Sequence, residues 1–307
     1  AMQIIGRNVM SIGSTAVLAR LLSPDDYGLM GMVATLTALL LVVSDMGLSW
    51  ATIQQRSLTE SQVSNLFWLN AGAGGAMWFG CFLVAPMIAD FYQREELRAV
   101  TIAMGASFLL GGLAVQPFAL MRRRMAFRPI ALIEIAAVVA SALSAISAAG
   151  LGYGYWALVV QALVGQLVRL LLAWSISRLK IERPRRGVGT REMVAFGGIL
   201  AVNGVLIYVS RNLDSVLIGR YWGAESLGFY TRAYFLMLLP STIATSVLAN
   251  LMVPSLSALQ DDPKRFGDAY RRAVRLVAFI GCPLALGLAL TAHEMVRIVY
   301  GPEWLPV

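Results

Sequence analysis

The chain has 307 residues, of which 58% are apolar and only 14% are charged, and its mean hydropathy is +0.69. A soluble domain is roughly 45–50% apolar and about 25% charged, so the polar residues of this chain could not cover a soluble fold. The composition excludes a disordered chain and argues against a water-soluble enzyme. It predicts a protein of the lipid bilayer.

Stretches that could cross a bilayer follow one another along the chain, since a transmembrane helix needs about 20 mostly apolar residues. We identify nine candidates: Gln3 to Leu22, Gly28 to Ala51, Asn65 to Phe91, Leu97 to Leu120, Pro129 to Gly150, Gly154 to Ser177, Met193 to Tyr221, Ser226 to Leu256 and Ala269 to Tyr300. Short connections rich in glycine, proline and aspartate separate them. The sequence therefore predicts an all-α integral membrane protein with about nine transmembrane helices.

The net charge of +8 comes mainly from basic clusters in the connections between these helices. The clusters are Arg122–Arg124 with Arg128, Arg178–Arg191 and Lys264–Arg272. A nucleic-acid-binding protein would instead present a folded basic face with interleaved aromatic residues, so we expect no nucleic-acid partner. Because the clusters follow even-numbered helices, the positive-inside rule predicts a multi-pass protein with a cytoplasmic N-terminus.

Cysteine and histidine are sparse. Cys81 and Cys282 lie in apolar runs, and His293 is the single histidine. These residues have no spacing typical of a disulfide framework, a zinc site or a catalytic triad, so we expect no metal site and no cofactor. The predicted outer connections are also too short to hold an extramembrane active site, and we do not expect an enzyme.

An internal repeat relates two parts of the chain. Leu18, Arg20, Asp25 and Gly28 recur 200 positions later as Ile218, Arg220, Glu225 and Gly228. The pattern of Ile88, Phe91, Tyr92 and Glu95 is similar to that of Val296, Val299, Tyr300 and Glu303. An offset near 200 equals six predicted helices, an even number, so the two halves should have parallel topology.

The repeat also predicts the domain organisation. We expect a six-helix bundle at residues 1–178, a basic cytoplasmic linker at 179–192, and the first three helices of an incomplete second bundle at 193–307. On this interpretation the chain is a fragment of a protein with at least 12 spans.

Three motifs resemble one branch of the multidrug/oligosaccharidyl-lipid/polysaccharide exporter superfamily. They are Leu21-Leu22-Ser23-Pro24-Asp25-Asp26-Tyr27-Gly28, Asp45-Met46-Gly47-Leu48, and Asp214-x-x-x-Ile218-Gly219-x-x-x-Gly223-x-x-x-Leu227-Gly228-x-Tyr230-x-x-Ala233. The branch is that of the polysaccharide transporters, the O-antigen and exopolysaccharide flippases often labelled lipopolysaccharide biosynthesis proteins. The likeness runs from residue 4 to residue 304.

The resemblance implies a flippase fold of two bundles, with six or more helices each, around a cleft that is often cationic. It implies that the protein carries an undecaprenyl-diphosphate-linked oligosaccharide across the bacterial inner membrane by alternating access. The implied partners are this lipid-linked oligosaccharide, membrane lipids, and a polysaccharide polymerase or other biosynthesis proteins.

Polar residues recur at helical spacing in the first and seventh predicted helices, forming a stripe on each. The stripes are Arg7, Asn8, Ser11, Ser14 and Thr15, and Asn203, Ser210, Arg211 and Asp214. Ionisable groups within a span tend to face the bundle interior or an aqueous cavity. Arginine binds phosphate oxygens through two parallel hydrogen bonds, so a diphosphate headgroup would be held by Arg7, Asn8 and Arg211, with Arg169 and Arg232 as further candidates.

Other roles remain open for several of these charges. Arg211 and Asp214 are three residues apart on one helix and could neutralise each other. Arg232 lies near a span end, where its side chain could extend to lipid headgroups. Asp214 and Asp45 could couple transport to an ion, although Asp45 and Glu134 suit an interfacial or salt-bridged role better.

Two other functions compete with the flippase. A cation-coupled multidrug exporter of the same superfamily would favour acidic and aromatic residues in the cleft over arginines. A membrane-embedded glycan-modifying enzyme would place catalytic carboxylates or histidines in sizeable outer loops.

Overall fold

A computed structural model of the chain describes residues 13–44, 59–177, 179, 181–183, 190–247 and 263–306. These ranges are almost entirely helical and contain no β-strand. The helices are α1 (residues 13–21), α2 (Pro24–Ser44), α3 (Glu60–Tyr92), α4 (Glu96–Arg123), α5 (Phe127–Gly150), α6 (Trp156–Ser177), α7 (Thr190–Val247) and α8 (Pro263–Val299), with a short 3-10 helix at Pro302–Trp304. The predicted all-α membrane protein is confirmed.

Among the described residues, five helices are long and apolar enough to cross a membrane: α3, α4, α5, α6 and α8. Each of them coincides with a predicted span to within a few residues at most ends. The count of about nine spans stays a prediction. So does the division into bundles at residues 1–178 and 193–307.

Local sequence sets both ends of α3. Thr59 caps its N-terminus, because the Thr59 hydroxyl accepts the Gln62 N–H and the Gln62 side chain accepts the Thr59 N–H in return. This reciprocal pair satisfies two amide donors that the first turn of a helix leaves unpaired. At the other end Gln93 adopts a left-handed conformation with φ of 57°, which ends the helix before α4 begins.

Glycines allow α3 and α4 to pack backbone against backbone. A methyl group on Gly74 would overlap the Phe108 carbonyl, and one on Gly112 would overlap the Asn70 carbonyl. At Gly105 an added Cβ would lie 2.8 Å from the Trp78 ring. Small residues at these three positions therefore permit a close crossing, as is common between helices in membranes.

Tryptophan side chains add polar links between helices. The Trp78 indole of α3 donates to the Ile102 carbonyl of α4 at 3.1 Å. The Trp174 indole of α6 donates to the Leu113 carbonyl, also of α4, at 3.2 Å. Both bonds leave the large ring in apolar surroundings while its N–H is satisfied.

The connections between these helices lie alternately at the two ends of the packed helices. At one end, Arg94 in the α3–α4 turn pairs with Asp25 at 2.7 Å, and Gly154 in the α5–α6 turn abuts Asp26. At the other end, Glu182 follows α6 and meets the first turns of α3, accepting the Trp68 indole N–H on its carbonyl. The helices thus run up and down, as a multi-pass chain requires.

The helix α7 is kinked at Gly223, where φ is 86° and ψ is −179°. This conformation is open almost only to glycine. The kink divides α7 into a first arm, residues 190–222, and a second arm, residues 224–247. The arms correspond to the seventh and eighth predicted spans, Met193 to Tyr221 and Ser226 to Leu256.

The chain divides into two compact units, Ala1–Gly228 and Phe229–Val307. In the second unit, Trp304 of the short 3-10 helix is fully buried. Its ring meets Phe229 edge-on at a centroid distance of 5.9 Å and Tyr300 at 5.8 Å. Aromatic packing therefore fixes the residues that follow α8, whereas much of the α8 surface is apolar and exposed, as suits contact with lipid.

Candidate functional site

In the polar stripe of the first arm of α7, the structure describes the side chains from Ser210 to Asp214. Arg211 is exposed, and the half-buried Asp214 carboxylate accepts the N–H of Ser215 at 2.7 Å. The neighbouring Asn212 amide donates to the Tyr208 carbonyl at 2.8 Å. The guanidinium of Arg211 is therefore accessible to an anion.

Tyr208 anchors this arm against α2, because its hydroxyl donates to the Thr35 carbonyl at 2.7 Å. Thr35 in turn donates its own hydroxyl to the Gly31 carbonyl. The arm that carries Arg211 is thereby held beside α2 by a hydrogen bond between the two halves of the repeat.

Three predicted site residues, Arg7, Asn8 and Asp45, lie outside the described residues. Their assignment to the headgroup site and to ion coupling stays a prediction. Of the first stripe, Ser14 and Thr15 are described; Ser14 is buried and Thr15 is half-buried.

Arg169 forms an ion pair with Glu134, with 3.2 Å between Nε of Arg169 and Oε2 of Glu134. Arg169 lies on α6 and Glu134 on α5, and their side chains are 32% and 25% exposed. The pair compensates the charge of Arg169, as the salt-bridged interpretation of Glu134 anticipated. For an anionic headgroup to engage Arg169, it would have to share or displace this carboxylate.

Arg232 is half-buried in the second unit, where it lies near the phenol of Tyr300. Tyr300 directly follows α8. The structure therefore places Arg232 near an aromatic hydroxyl group at the end of α8.

The described residues contain no group of three or more histidine, cysteine or acidic side chains that could hold a metal ion. His293 is exposed on α8, Cys282 is exposed, and Cys81 is buried.

One contact was not predicted from the sequence: the repeated motifs touch each other. We call residues 23–28 the first turn segment and residues 219–228 the second turn segment. A methyl group on Gly28 would overlap the carbonyl of Ala224, and one on Gly228 would overlap the carbonyl of Pro24. The repeat indicated that these segments were equivalent, but it carried no information on whether they were adjacent.

Hydrogen bonds internal to the first turn segment give it a defined shape. The Asp26 carboxylate accepts from both the N–H and the hydroxyl of Ser23, at 2.9 and 2.8 Å, and the Ser23 hydroxyl accepts the Asp26 N–H. This capping arrangement starts α2 at Pro24, a favoured first residue of a helix. Arg94 then holds the neighbouring Asp25.

The second turn segment also contacts α3. The Arg220 guanidinium lies 5.4 Å from the centre of the Phe91 ring, and a Cβ at Gly219 would lie 3.0 Å from the Tyr92 ring. A cation over an aromatic face is attracted by the ring quadrupole. Arg220 therefore has a protein partner in addition to any lipid headgroup.

Comparison with known proteins identifies the family. No solved structure matches the chain. The chain is 27% identical over 295 residues to the lipopolysaccharide biosynthesis protein WzxC of Escherichia coli, covering 94% of this chain and 59% of that protein. It is 27% identical over 301 residues to the teichuronic acid biosynthesis protein TuaB of Bacillus subtilis, covering 97% and 62%. It is 25% identical over 295 residues to the succinoglycan biosynthesis transport protein ExoT of Rhizobium meliloti, covering 94% and 58%.

The chain thus spans about three-fifths of the length of these relatives. The sequence profile described as polysaccharide biosynthesis protein matches residues 17–307, which is nearly the whole chain. The chain belongs to this family of polysaccharide biosynthesis proteins.

Proposed function

We propose that the whole protein is a flippase that moves a lipid-linked oligosaccharide, the repeat unit of a lipopolysaccharide or exopolysaccharide, across the bacterial inner membrane. The observation that carries the proposal is the family match over residues 17–307 of an apolar chain whose described residues are almost entirely helical. The names of the relatives support it, since ExoT is named as a transport protein and WzxC as a lipopolysaccharide biosynthesis protein. On this proposal the protein is not an enzyme.

The proposed mechanism is alternating access. The polar headgroup passes through a cleft while the lipid tail remains in the bilayer, so only the charged diphosphate and the sugars need a polar path. The exposed guanidinium of Arg211 supports a headgroup site, because arginine binds phosphate oxygens in a planar, two-point geometry. Arg7 and Asn8 would line the same site from the first helix, and Asp214 or Asp45 would couple transport to an ion.

The proposed orientation places the N-terminus and the basic connections in the cytoplasm. The linker at residues 179–192 would join the two bundles there. The up-and-down arrangement supports this, because Arg94 and Gly154 lie at one end of the helices and Glu182 at the other. A polysaccharide polymerase on the outer side would consume the translocated substrate.

The test is export by cells that carry the whole protein as their only flippase for this polysaccharide. Arg7→Ala and Arg211→Ala should each lower export at least about ten-fold, since a hydrogen bond to a charged group contributes about 1.5–3 kcal/mol. Arg98→Ala is the matched control and should export normally, because Arg98 is exposed in the first turn of α4 and pairs only with the exposed Glu95 among the described residues.

Lipid-linked oligosaccharide should accumulate on the cytoplasmic leaflet in the two defective variants. Normal export in both would reject their assignment to the headgroup site. A loss of drug resistance with intact polysaccharide export would instead favour the multidrug exporter, and covalent glycan transfer by the purified whole protein would favour the enzyme.

A further inference from the structure

The two turn segments contact each other reciprocally. Position 28 meets position 224, and position 228 meets position 24. Each contact becomes the other when 200 is added to one position and subtracted from its partner. Reciprocal contacts of this kind are the signature of a two-fold axis, at which residue i meets residue j and j meets i.

The helix breaks obey the same relation. Leu22 and Ser23 are the non-helical residues between α1 and α2, and Gly223 is the non-helical residue inside α7. Ser23 and Gly223 are 200 positions apart. A Cβ on Gly228 would lie 3.3 Å from the backbone nitrogen of Gly28, so the local axis passes close to these two glycines.

This axis should run along the membrane normal, because an even number of helices separates the repeats and their topology is therefore parallel. The turn segments lie at one end of the helices, together with Arg94 and away from Glu182. Two equivalent turns that meet on a central axis at one end of a bundle are placed to block that end.

The contacts between the turn segments suit an interface that opens. They include glycine against backbone, and the apolar side chains of Leu227 and Tyr27 in these segments are buried, at 0% and 4% exposed. The Arg94–Asp25 ion pair lies within one half and strengthens that half without joining it to the other. Separation of the turns would therefore break mainly short-range packing, and a gap of about 0.5–1 Å already removes roughly a quarter to a half of the dispersion attraction between two surfaces.

We propose that the two turn segments form a gate that closes one end of the transport path, and that Gly28 and Gly228 permit its closure by letting the two backbones touch. This inference rests on the proposed transport function. By the predicted orientation, the gate faces the outside of the cell.

A disulfide across the gate tests the proposal. Gly219 and Met32 come from opposite halves, and a Cβ on Gly219 would lie 3.3 Å from Cγ of Met32, so cysteines at both positions are within disulfide reach. The pair Met32→Cys/Gly219→Cys is made in the whole protein lacking Cys81 and Cys282. Flipping of a fluorescent diphosphate-linked oligosaccharide lipid is measured in proteoliposomes before and after oxidation.

The matched control is Ser141→Cys/Gly165→Cys. A Cβ on Gly165 would lie 3.4 Å from that of Ser141, but both residues belong to the same half. Oxidation of the gate pair should lower the flipping rate at least ten-fold, reduction should restore it, and the control pair should flip equally in both states. Equal rates for the oxidised and reduced gate pair would overturn the gate.

A second readout separates failure of the gate from failure of the transport function. If the parent protein without the introduced cysteines does not flip the lipid at all, the transport proposal fails; if only the reduced gate variant fails to flip it, the introduced side chains are the cause. The gate is then judged by the labelling of Ser14→Cys in intact cells with a membrane-impermeant maleimide, since Ser14 is buried on α1 beneath the first turn segment. Slower labelling in the oxidised gate variant supports the gate, and unchanged labelling overturns it.

Discussion

The surroundings of two arginines within predicted spans differ. Arg169 is compensated by Glu134 at 3.2 Å, whereas Arg211 is exposed, although both are arginines within predicted spans. The sequence was sufficient to identify both as costly groups in a bilayer, because each is a charged residue within a long apolar stretch. It could not pair Arg169 with Glu134, because the two are 35 positions apart on different helices and their contact depends on how α5 and α6 are rotated.

The Glu134–Arg169 pair should stabilise the helix packing. Glu134→Gln leaves the guanidinium half-buried and uncompensated, so the free energy of unfolding should fall by roughly 1–2 kcal/mol, less than the 3–5 kcal/mol of a fully buried pair. The double variant Glu134→Gln/Arg169→Gln should lose less free energy of unfolding than the two single variants lose together, since changes at residues in contact are not additive. Detergent-titrated unfolding of the whole protein measures each value.

The exposed pair Glu95–Arg98 is the control, and Glu95→Gln should change the unfolding free energy by less than about 0.5 kcal/mol. Export by the double glutamine variant then decides the role of Arg169. Normal export means that the pair is structural, whereas lost export in a stable protein assigns Arg169 to the substrate path. Strict additivity of the two single changes would contradict the pairing.

The helices themselves were largely predictable. Long apolar stretches bounded by turn residues gave the positions of α3, α4, α5 and α6 to within a few residues, because the bilayer requires about 20 apolar residues whatever the packing. The break within α7 was predicted as a connection between two spans, and the structure narrows it to Gly223. Which backbones would touch was not predictable, since glycine is common throughout the chain and most of the described glycines have open space where a Cβ would stand.

Gly223 should be sensitive to any side chain. Its φ of 86° with ψ of −179° disfavours residues with a Cβ, so Gly223→Ala should lower the unfolding free energy by about 1–3 kcal/mol. Gly111→Ala is the control: Gly111 lies inside α4 with open space around it, and alanine there should be neutral or stabilise by up to about 1 kcal/mol. Thermal unfolding of the whole protein in detergent compares the two, and equal stability would show that α7 does not need glycine at its break.

At the scale of the molecule, the repeat explains why two loosely similar motifs lie in one place. A two-fold axis brings equivalent segments together only if they lie near it, and the structure supplies that proximity. The sequence supplied the offset of 200 and the parallel topology. The residues that carry the family resemblance therefore also form this contact. The contact is a physical reason for the repeated motif.

The two central glycines should be functionally equivalent. Gly28→Ala and Gly228→Ala each insert a methyl group into a backbone contact, and overpacking of this kind costs about 1–3 kcal/mol. Each should therefore lower export in cells about five-fold or more. Because both changes push apart the same pair of turns, the double variant should export little less than either single variant.

Gly13→Ala is the matched control, since Gly13 is exposed on α1 with nothing near its Cβ position, and its export should be unchanged. Expression and unfolding are measured in parallel, so that a folding defect is distinguished from a transport defect. A two-fold gate requires the two single variants to respond alike, because each methyl group enters the symmetric counterpart of the other's contact. Loss of export in one variant with normal export in the other would contradict the two-fold gate, because only one of the two glycines would then be needed for the turns to close.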